Sequence, residues 1–316
     1  MKLDFHTHGK LAKRLPFSTV YTDWLFGEAK KAGLGALCLT EHFNTLQFDE
    51  LYGYLSAKST REGDTLVLEN GLRIFPGMET DIAEGGHILS IGPLEAILEL
   101  NQRLAPTRRR ETSAFRAAAG LIHPVSGAGG RRPSLPGRGA YSRNASGTAG
   151  TAGFLDLNGK DLAANRRQAE LHTYGLGRQL GIPVVSGSDT HQAVQYGCVW
   201  TELQQACSTA AKLLQEMRAG RYRITVSESA AEKVQSAGLL KRALKEIHAL
   251  GGDYVAVLTG PEKDQEHGPS YAERIAVHHK AVVVDYAPKA GAMAEEMERI
   301  ANEMALQGWA LASSAV

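Results

Sequence analysis

Short apolar segments alternate with longer helix-like segments through most of this 316-residue chain. Most of the apolar segments are bounded by Gly, Pro, Asn or Asp, which is typical of strands that end in turns. The segments are Leu3–Phe5, Leu34–Leu39, Arg73–Phe75, His87–Ile91, Gly120–Ile122, Gly153–Leu157 and Ile182–Val185. Helix-like patterns lie between them, as at Tyr21–Ala32 and Asp161–Leu180. This alternation predicts an α/β fold with mostly parallel strands, and seven such strands indicate a barrel or a distorted barrel.

Two regions depart from this alternation. Residues 126–153 are rich in Gly, Arg, Ser and Ala without periodicity, which predicts a long loop. After about residue 225 the pattern becomes helical and then strand–helix–strand. We therefore expect a barrel over residues 1–225, a helical connector over 226–268 and a small α/β module over 269–316. Dimerisation, partner binding and lid formation are all open roles for this module, so it is the candidate site of homo-oligomer contacts.

Composition excludes several classes of protein. The hydrophobic fraction of 43% and the charged fraction of 22% are ordinary for a globular chain. A net charge of +1 gives no overall field that would attract nucleic acid or a membrane surface. The three widely spaced cysteines, Cys38, Cys198 and Cys207, argue against a disulfide framework and a zinc ribbon. The chain opens on no apolar leader and holds no membrane-length apolar stretch, so we expect a cytoplasmic protein without membrane contact.

Histidines and acidic residues stand at the ends of the predicted strands. His6 and His8 follow the first strand, and alternate residues of a strand point to the same side, so both rings can reach one ion. A short turn after Glu79 would fold His87 toward it. The full set is His6, His8, His42, Glu79, His87, His123, Asp189 and His191.

The placement of this set predicts metal chemistry. Strand ends form the functional face of an α/β barrel, and imidazoles and carboxylates bind Zn, Mn and Fe. One histidine at a strand end is usually only a structural polar group, but six with a Glu and an Asp on one face indicate a metal site. Two ions held together activate water and bind the oxygens of a phosphate ester. We therefore expect a pair of divalent metals, with Glu79 as the bridge and a metal-activated hydroxide as nucleophile.

The same residues stand in motifs whose order resembles that of the polymerase-and-histidinol-phosphatase (PHP) family. The motifs are His-Thr-His, Thr-Glu-His, Pro-Gly-Met-Glu, Gly-Gly-His-Ile-Leu, Ile-His-Pro and Gly-Ser-Asp-Thr-His, over about residues 1–225. The resemblance implies a distorted (β/α)7 TIM-like barrel and a metal-dependent phosphoesterase. It implies one metal held by His6, His8, Glu79 and Asp189, a second held by Glu79, His87 and His123, and a third to which His42 and His191 contribute.

One departure from the PHP pattern concerns the third metal. PHP sequences commonly carry an Asp, Glu or His a few residues after the HxH pair, whereas here no such residue follows until Asp23. Two imidazoles without a carboxylate are fewer ligands than a divalent ion usually takes. We therefore expect two tightly held metals and a weak third. His42 and His191 would then be free to protonate the leaving oxygen, which makes them candidate catalytic residues beside Asp189.

Basic residues suggest where a phosphate would bind. Nine arginines and one acidic residue lie between positions 103 and 143. Arginine binds phosphate bidentately, although a solvated basic face would give the same pattern. Arg131 and Arg132 are the main candidates because their loop directly follows His123, and Lys10 is a third. We expect a small phosphorylated substrate, as in histidinol-phosphate or nucleotide phosphatases.

Three alternatives remain. Amidohydrolases also open on an HxH strand, but a Glu and a His that flank a turn and a terminal Asp-x-His favour a PHP protein. The barrel could instead be a metal-binding sensor or interaction module, because ligands alone do not prove turnover. The third alternative is a PHP-type nuclease on single strands. Nucleic acid is not expected as the substrate, since no aromatic platform for stacking bases is evident.

Overall fold

The computed structural model describes residues 1–81, 87–106, 124–127 and 153–260. The chain divides into two compact units, Met1–Gly260 and Pro261–Val316. The second unit, which contains the predicted module 269–316, lies outside the described residues. The predicted strand Gly120–Ile122 and most of the predicted loop 126–153 lie outside them as well.

Strands and helices alternate along the first unit, as the sequence predicts. The strands are β1 (Lys2–Thr7), β2 (Ala36–His42), β3 (Ser59–Glu62), β4 (Thr65–Leu68), β5 (Arg73–Asp81), β6 (His87–Ile91), β7 (Pro124–Gly127), β8 (Phe154–Asn158), β9 (Val184–Gly187), β10 (Val199–Leu203) and β11 (Tyr222–Val226). The helices are α1 (Thr19–Lys31), α2 (Phe48–Ala57), α3 (Leu94–Leu104), α4 (Gly159–Leu180), α5 (Ala210–Arg218), α6 (Ala230–Ala249) and α7 (Tyr254–Thr259), and a 3₁₀ turn lies at Ala193–Gln195. The predicted apolar segments that lie in described residues coincide with β1, β2, β5, β6, β8 and β9.

The strands form one mixed sheet in the order β11-β10-β1-β2-β5-β6-β7-β8-β9, and the hairpin β3–β4 joins it at β5. Among the strands of the described residues, the parallel pairs are β1–β2, β2–β5, β7–β8 and β8–β9, and the other pairs are antiparallel. The α/β class is confirmed, but the expectation of mostly parallel strands is wrong. The pair β5–β6 shows why: residues 82–86 alone connect these strands, and a parallel crossover needs about a dozen residues.

The end of β9 lies beside the end of β1. The amide of Asp189 donates to the carbonyl of His6 at 2.7 Å, and the amide of His8 donates to the carbonyl of Thr190 at 3.0 Å. Gly187 permits this approach, since a Cβ at that position would lie 2.2 Å from the Cβ of His6. These contacts place the residues that follow β1 and β9 together, although no strand-to-strand ladder in the described residues closes the sheet into a barrel.

Helix α6, which falls in the predicted connector 226–268, packs on the core of the first unit. Leu244 is buried in the same apolar cluster as Tyr21 of α1, and Ala230 is buried against residues of β8 and β9. The helix also contacts α4 and the 3₁₀ turn Ala193–Gln195. Among the described helices, none has both the length and the apolar character needed to cross a membrane.

Candidate metal centre

Seven of the eight predicted metal ligands lie in described residues, and their side chains converge at one edge of the sheet. They are His6, His8, His42, Glu79, His87, Asp189 and His191. The parallel strands β1 and β2 end at this edge, and β9 ends beside β1. The antiparallel hairpin β5–β6 brings Glu79 and His87 to the same edge, because Asp81 pairs with His87 in the ladder. The predicted approach of Glu79 and His87 is therefore confirmed.

Glu79 lies at the centre of this cluster and is buried. Its Oε2 lies 3.0 Å from Nδ1 of His42, 3.3 Å from Nε2 of His8 and 3.4 Å from Nε2 of His6. Its Oε1 lies 3.4 Å from Nδ1 of His87. Burial opposes ionisation of Glu79, but the charges of the surrounding histidines outweigh it and hold its pKa well below the usual range. A carboxylate with both oxygens directed at imidazoles has the geometry of a bridging metal ligand.

Asp189 completes the central set from the loop after β9. Its Oδ1 lies 3.3 Å from Nε2 of His8 and 3.8 Å from Nε2 of His6. Its Oδ2 forms an ion pair of 2.7 Å with Nζ of Lys160. The backbone of Asp189 is in the left-handed region with a φ of 58°, a conformation that Asp tolerates better than most residues. This turn of the chain directs the carboxylate at His6 of β1 and at His8 just after it.

Three groups of side chains each have their potential ligand atoms within 4.8 Å of one another. The first group is His6, His8 and Asp189; the second is His6, Glu79 and His87; the third is His8, His42 and His191. The third group corrects the expectation that only His42 and His191 face that site.

Buried nitrogens test whether this cluster suits metal ions. Nε2 of His8, Nδ1 of His42 and Nε2 of His87 are buried without a hydrogen-bond partner in the described part of the chain. A buried polar atom without a partner costs about 1–3 kcal/mol. Lone pairs directed at divalent ions would remove this cost, and imidazole with carboxylate is a donor set that Zn, Mn and Fe accept. The residues therefore fit metal ions.

Hydrogen bonds outside the cluster determine which nitrogens can bind. Nδ1 of His6 lies 3.0 Å from Oδ2 of Asp156, and Nδ1 of His191 lies 2.9 Å from the carbonyl oxygen of Lys10. Both partners act as acceptors, so each Nδ1 carries the proton and each Nε2 keeps its lone pair for a metal. The rings of His191 and His8 stack in parallel, with centroids 3.9 Å apart. The two imidazoles are thereby fixed in orientation.

Burial also favours the neutral form of two of the imidazoles, those of His42 and His191. It lowers the pKa of His42 to about 4 and that of His191 well below its usual value. Neutral imidazole is the form that binds a metal. Burial opposes ionisation of Glu41 too, but the imidazole of His8, 3.7 Å away, and the nearby charges of His42 and Lys10 hold its pKa at about 2.

Residues 175–222 match the PHP_C family model, which describes a PHP-associated segment. The matched segment contains Asp189 and His191, and it follows the other PHP motifs in the expected order. The match confirms, over this segment, the resemblance of the sequence to the PHP family. No curated protein sequence matches the chain.

Several solved structures are similar to this chain. PsfC from Pseudomonas syringae is 19% identical over 77% of this chain and 98% of its own, with a TM-score of 0.57. The lesion-specific endonuclease PfuEndoQ from Pyrococcus furiosus is 16% identical over 71% of this chain and 57% of its own, with a TM-score of 0.48. An amidohydrolase from Chromobacterium violaceum is 15% identical over 70% of this chain and 97% of its own, with a TM-score of 0.44. At these identities PsfC indicates a common fold and nothing finer.

The other predicted site residues have different outcomes. His123, Arg131 and Arg132 lie outside the described residues. Lys10 is buried, and its ammonium group donates a hydrogen bond to the carbonyl of Leu46. This contact engages Lys10 within the protein, and burial lowers its pKa.

Sequence reasoning missed Asp156 and Lys160, which contact His6 and Asp189. Both lie in the motif Asp-Leu-Asn-Gly-Lys-Asp, at the end of β8 and the start of α4. Asp156 and Asn158 are alternate residues of a strand, as His6 and His8 nearly are, so their side chains share one side of the sheet. Two buried polar residues in a strand were the available signal.

Proposed function

We propose that this chain is a metal-dependent phosphoesterase that hydrolyses a small phosphomonoester. One observation carries the proposal: the carboxylates of Glu79 and Asp189 each lie within 3.8 Å of the imidazoles of both His6 and His8, at the end of a sheet. The resemblance to the PHP family and the match over residues 175–222 support the same chemistry. The barrel implied by the family also agrees with the hydrogen bonds that join the ends of β1 and β9.

The proposed metal ligands form two sets that share Glu79. Glu79 would bridge two ions, with His6, His8 and Asp189 on one side and His87, together with His123, on the other. When bound, divalent metals lower the pKa of water to about 7 and hold phosphate oxygens. The third group (His8, His42 and His191) remains a weaker site in this proposal, because His8 also belongs to the first group. A neutral imidazole offers one lone pair, so His8 can bind only one of the two ions.

The remaining residues orient groups and carry protons. Asp156 fixes the ring of His6, and the carbonyl of Lys10 fixes the ring of His191. Nε2 of His191 is then the atom at which a proton is taken up and returned, with His42 beside it at a ring distance of 5.6 Å. Arg131 and Arg132 remain proposed phosphate contacts. We further propose a cytoplasmic location, in agreement with three buried free thiols.

A substrate panel tests this function. The full chain, stripped of metal, would be reconstituted separately with Zn, Mn and Fe. Each form would be assayed with p-nitrophenyl phosphate, nucleoside monophosphates, bis(p-nitrophenyl) phosphate and single-stranded DNA. We expect monoesters to be turned over fastest.

Each alternative has its own outcome in this panel. Faster cleavage of DNA than of any monoester would identify a nuclease; the structure gives no support to the expectation that nucleic acid is excluded. Tight metal binding with no turnover of any substrate would identify a sensor or interaction module. Either result would contradict the proposed phosphatase.

A further inference from the structure

Lys160 places a positive charge directly beside the proposed metal ligands. Its Nζ pairs with Oδ2 of Asp189 at 2.7 Å, while the other oxygen of that carboxylate faces His6 and His8. Asn158 caps helix α4 by accepting from the amide of Lys160, which fixes where this side chain begins. The side chain of Lys160 is 45% exposed. Unlike Lys10, it is open to a ligand.

Lys241 brings a second positive charge to the same place from helix α6. It lies four residues after Ala237 and three before Leu244, and both of these residues are buried. The spacing puts Lys241 on the face of α6 that packs against α4 and the 3₁₀ turn that follows His191. In the described part of the chain Lys241 has neither a hydrogen bond nor an ion pair.

The electrostatics of the neighbouring groups agree with this position. Burial, followed by the charge of Lys160, lowers the pKa of Lys241 to about 8, against the opposing charges of Asp189 and Glu41. The charges of Lys241 and Lys160 both contribute to the low pKa of His191. Lys160 thus pairs with Asp189, which is already a proposed metal ligand, and Lys241 lies on the face of α6 that packs against α4, the helix that carries Lys160.

We propose that Lys160 and Lys241 together bind the phosphate group of the substrate next to the metal centre, and that the substrate is therefore a phosphomonoester dianion. The inference rests on the proposed function and narrows it. Like charges held together repel, so this pair favours a doubly charged group over the single charge of a phosphodiester. Lysine is a point-charge donor with three hydrogens, which suits the terminal oxygens of a monoester.

Lys241→Gln is the decisive variant, because Lys241 contacts no proposed metal ligand by a hydrogen bond. Arg242→Gln is the matched control: it removes one positive charge from the neighbouring, exposed position of the same helix. Lys241→Arg keeps the charge. The readouts are the dissociation constant of inorganic phosphate by calorimetry on the metal-reconstituted full chain, the metal content by elemental analysis, and KM for p-nitrophenyl phosphate and bis(p-nitrophenyl) phosphate.

We expect Lys241→Gln to weaken phosphate binding about tenfold, the order expected for one charge-assisted contact, with metal content unchanged. KM for the monoester should rise more than KM for the diester, and Lys241→Arg should restore most of the phosphate affinity. Lys160→Gln should weaken phosphate binding as well.

Two results would overturn the inference, and only the second of them would also refute the proposed function. If Lys241→Gln binds phosphate as Arg242→Gln does, at equal metal content and with wild-type turnover intact, only the lysine pair is refuted. If the wild-type protein neither binds phosphate nor hydrolyses any phosphoester, the proposed function fails with it.

Discussion

Asp156→Asn is the perturbation that best tests how this centre holds its metals. The side chain of Asp156 is 1% exposed, and its Oδ2 accepts from Nδ1 of His6 at 3.0 Å. Asparagine has the same size and retains one acceptor oxygen. Nδ2 of Asn158, 3.5 Å from Oδ2, favours the amide orientation that directs this oxygen at His6. The variant therefore keeps the hydrogen bond and removes its negative charge.

The size of the effect follows from that difference. Hydrogen bonds to charged groups contribute about 1.5–3 kcal/mol and neutral ones about 0.5–1.5 kcal/mol. The loss is then roughly 1–1.5 kcal/mol, or about tenfold in an equilibrium constant. Substitution of a residue that hydrogen-bonds to a metal-binding histidine typically lowers the metal affinity by roughly 10- to 100-fold. The tenfold effect estimated for Asp156→Asn falls at the lower end of that range. We expect the metal dissociation constant to rise about tenfold.

Competition with a chelator at neutral pH measures this affinity. Glu216→Gln is the control, because Glu216 is also a buried carboxylate, but it pairs with Arg221 at 2.7 Å outside the cluster. The control should lower the Tm without changing the metal affinity. A folded Asp156→Asn protein that binds metal as tightly as the wild type would refute the role given to Asp156.

Four further outcomes are expected. Glu79→Ala should remove at least one equivalent of metal and abolish p-nitrophenyl phosphate turnover, since both of its oxygens face imidazoles; full activity would contradict the bridge. Gly187→Ala should lower the Tm by roughly 5 °C or more in a thermal melt, because the new Cβ would lie 2.2 Å from that of His6; an unchanged Tm would count against this close approach. Dialysed protein should retain two metals by elemental analysis, and three would indicate that the third group is a full site. Deletion of Pro269–Val316 should leave metal content unchanged, because the last proposed ligand is His191; a folded truncation without metal would refute this.

The ligands themselves could be predicted from the sequence because local patterns bring them together. His6 and His8 are two residues apart around a strand end, and Glu79 and His87 flank a connection too short for anything but a hairpin. Such relations depend on spacing alone. The same reasoning placed the ends of β1, β2 and β9 at one edge of an α/β sheet.

The supporting residues could not be predicted in this way because their partners are far away in the chain. Asp156 and His6 are separated by 150 positions, and no local pattern specifies such a contact. Lys241 lies among the apolar positions of α6. An isolated lysine in a helix is usually a solvated side chain, so nothing in the local sequence distinguishes this one. The antiparallel strand β10, between β11 and β1, was missed for a different reason: its five residues follow a turn-rich segment and give too short an alternation.

Asp189 connects the two halves of the proposed site. One of its oxygens faces His6 and His8, and the other is held by Lys160. Lys160 thus orients Asp189 much as Asp156 orients His6, so the residues that would bind phosphate also position a metal ligand. A phosphate that draws the ammonium group of Lys160 toward itself changes the charge felt by Asp189. Because coupling between two binding equilibria is reciprocal, the affinities for metal and for phosphate should depend on each other through this carboxylate.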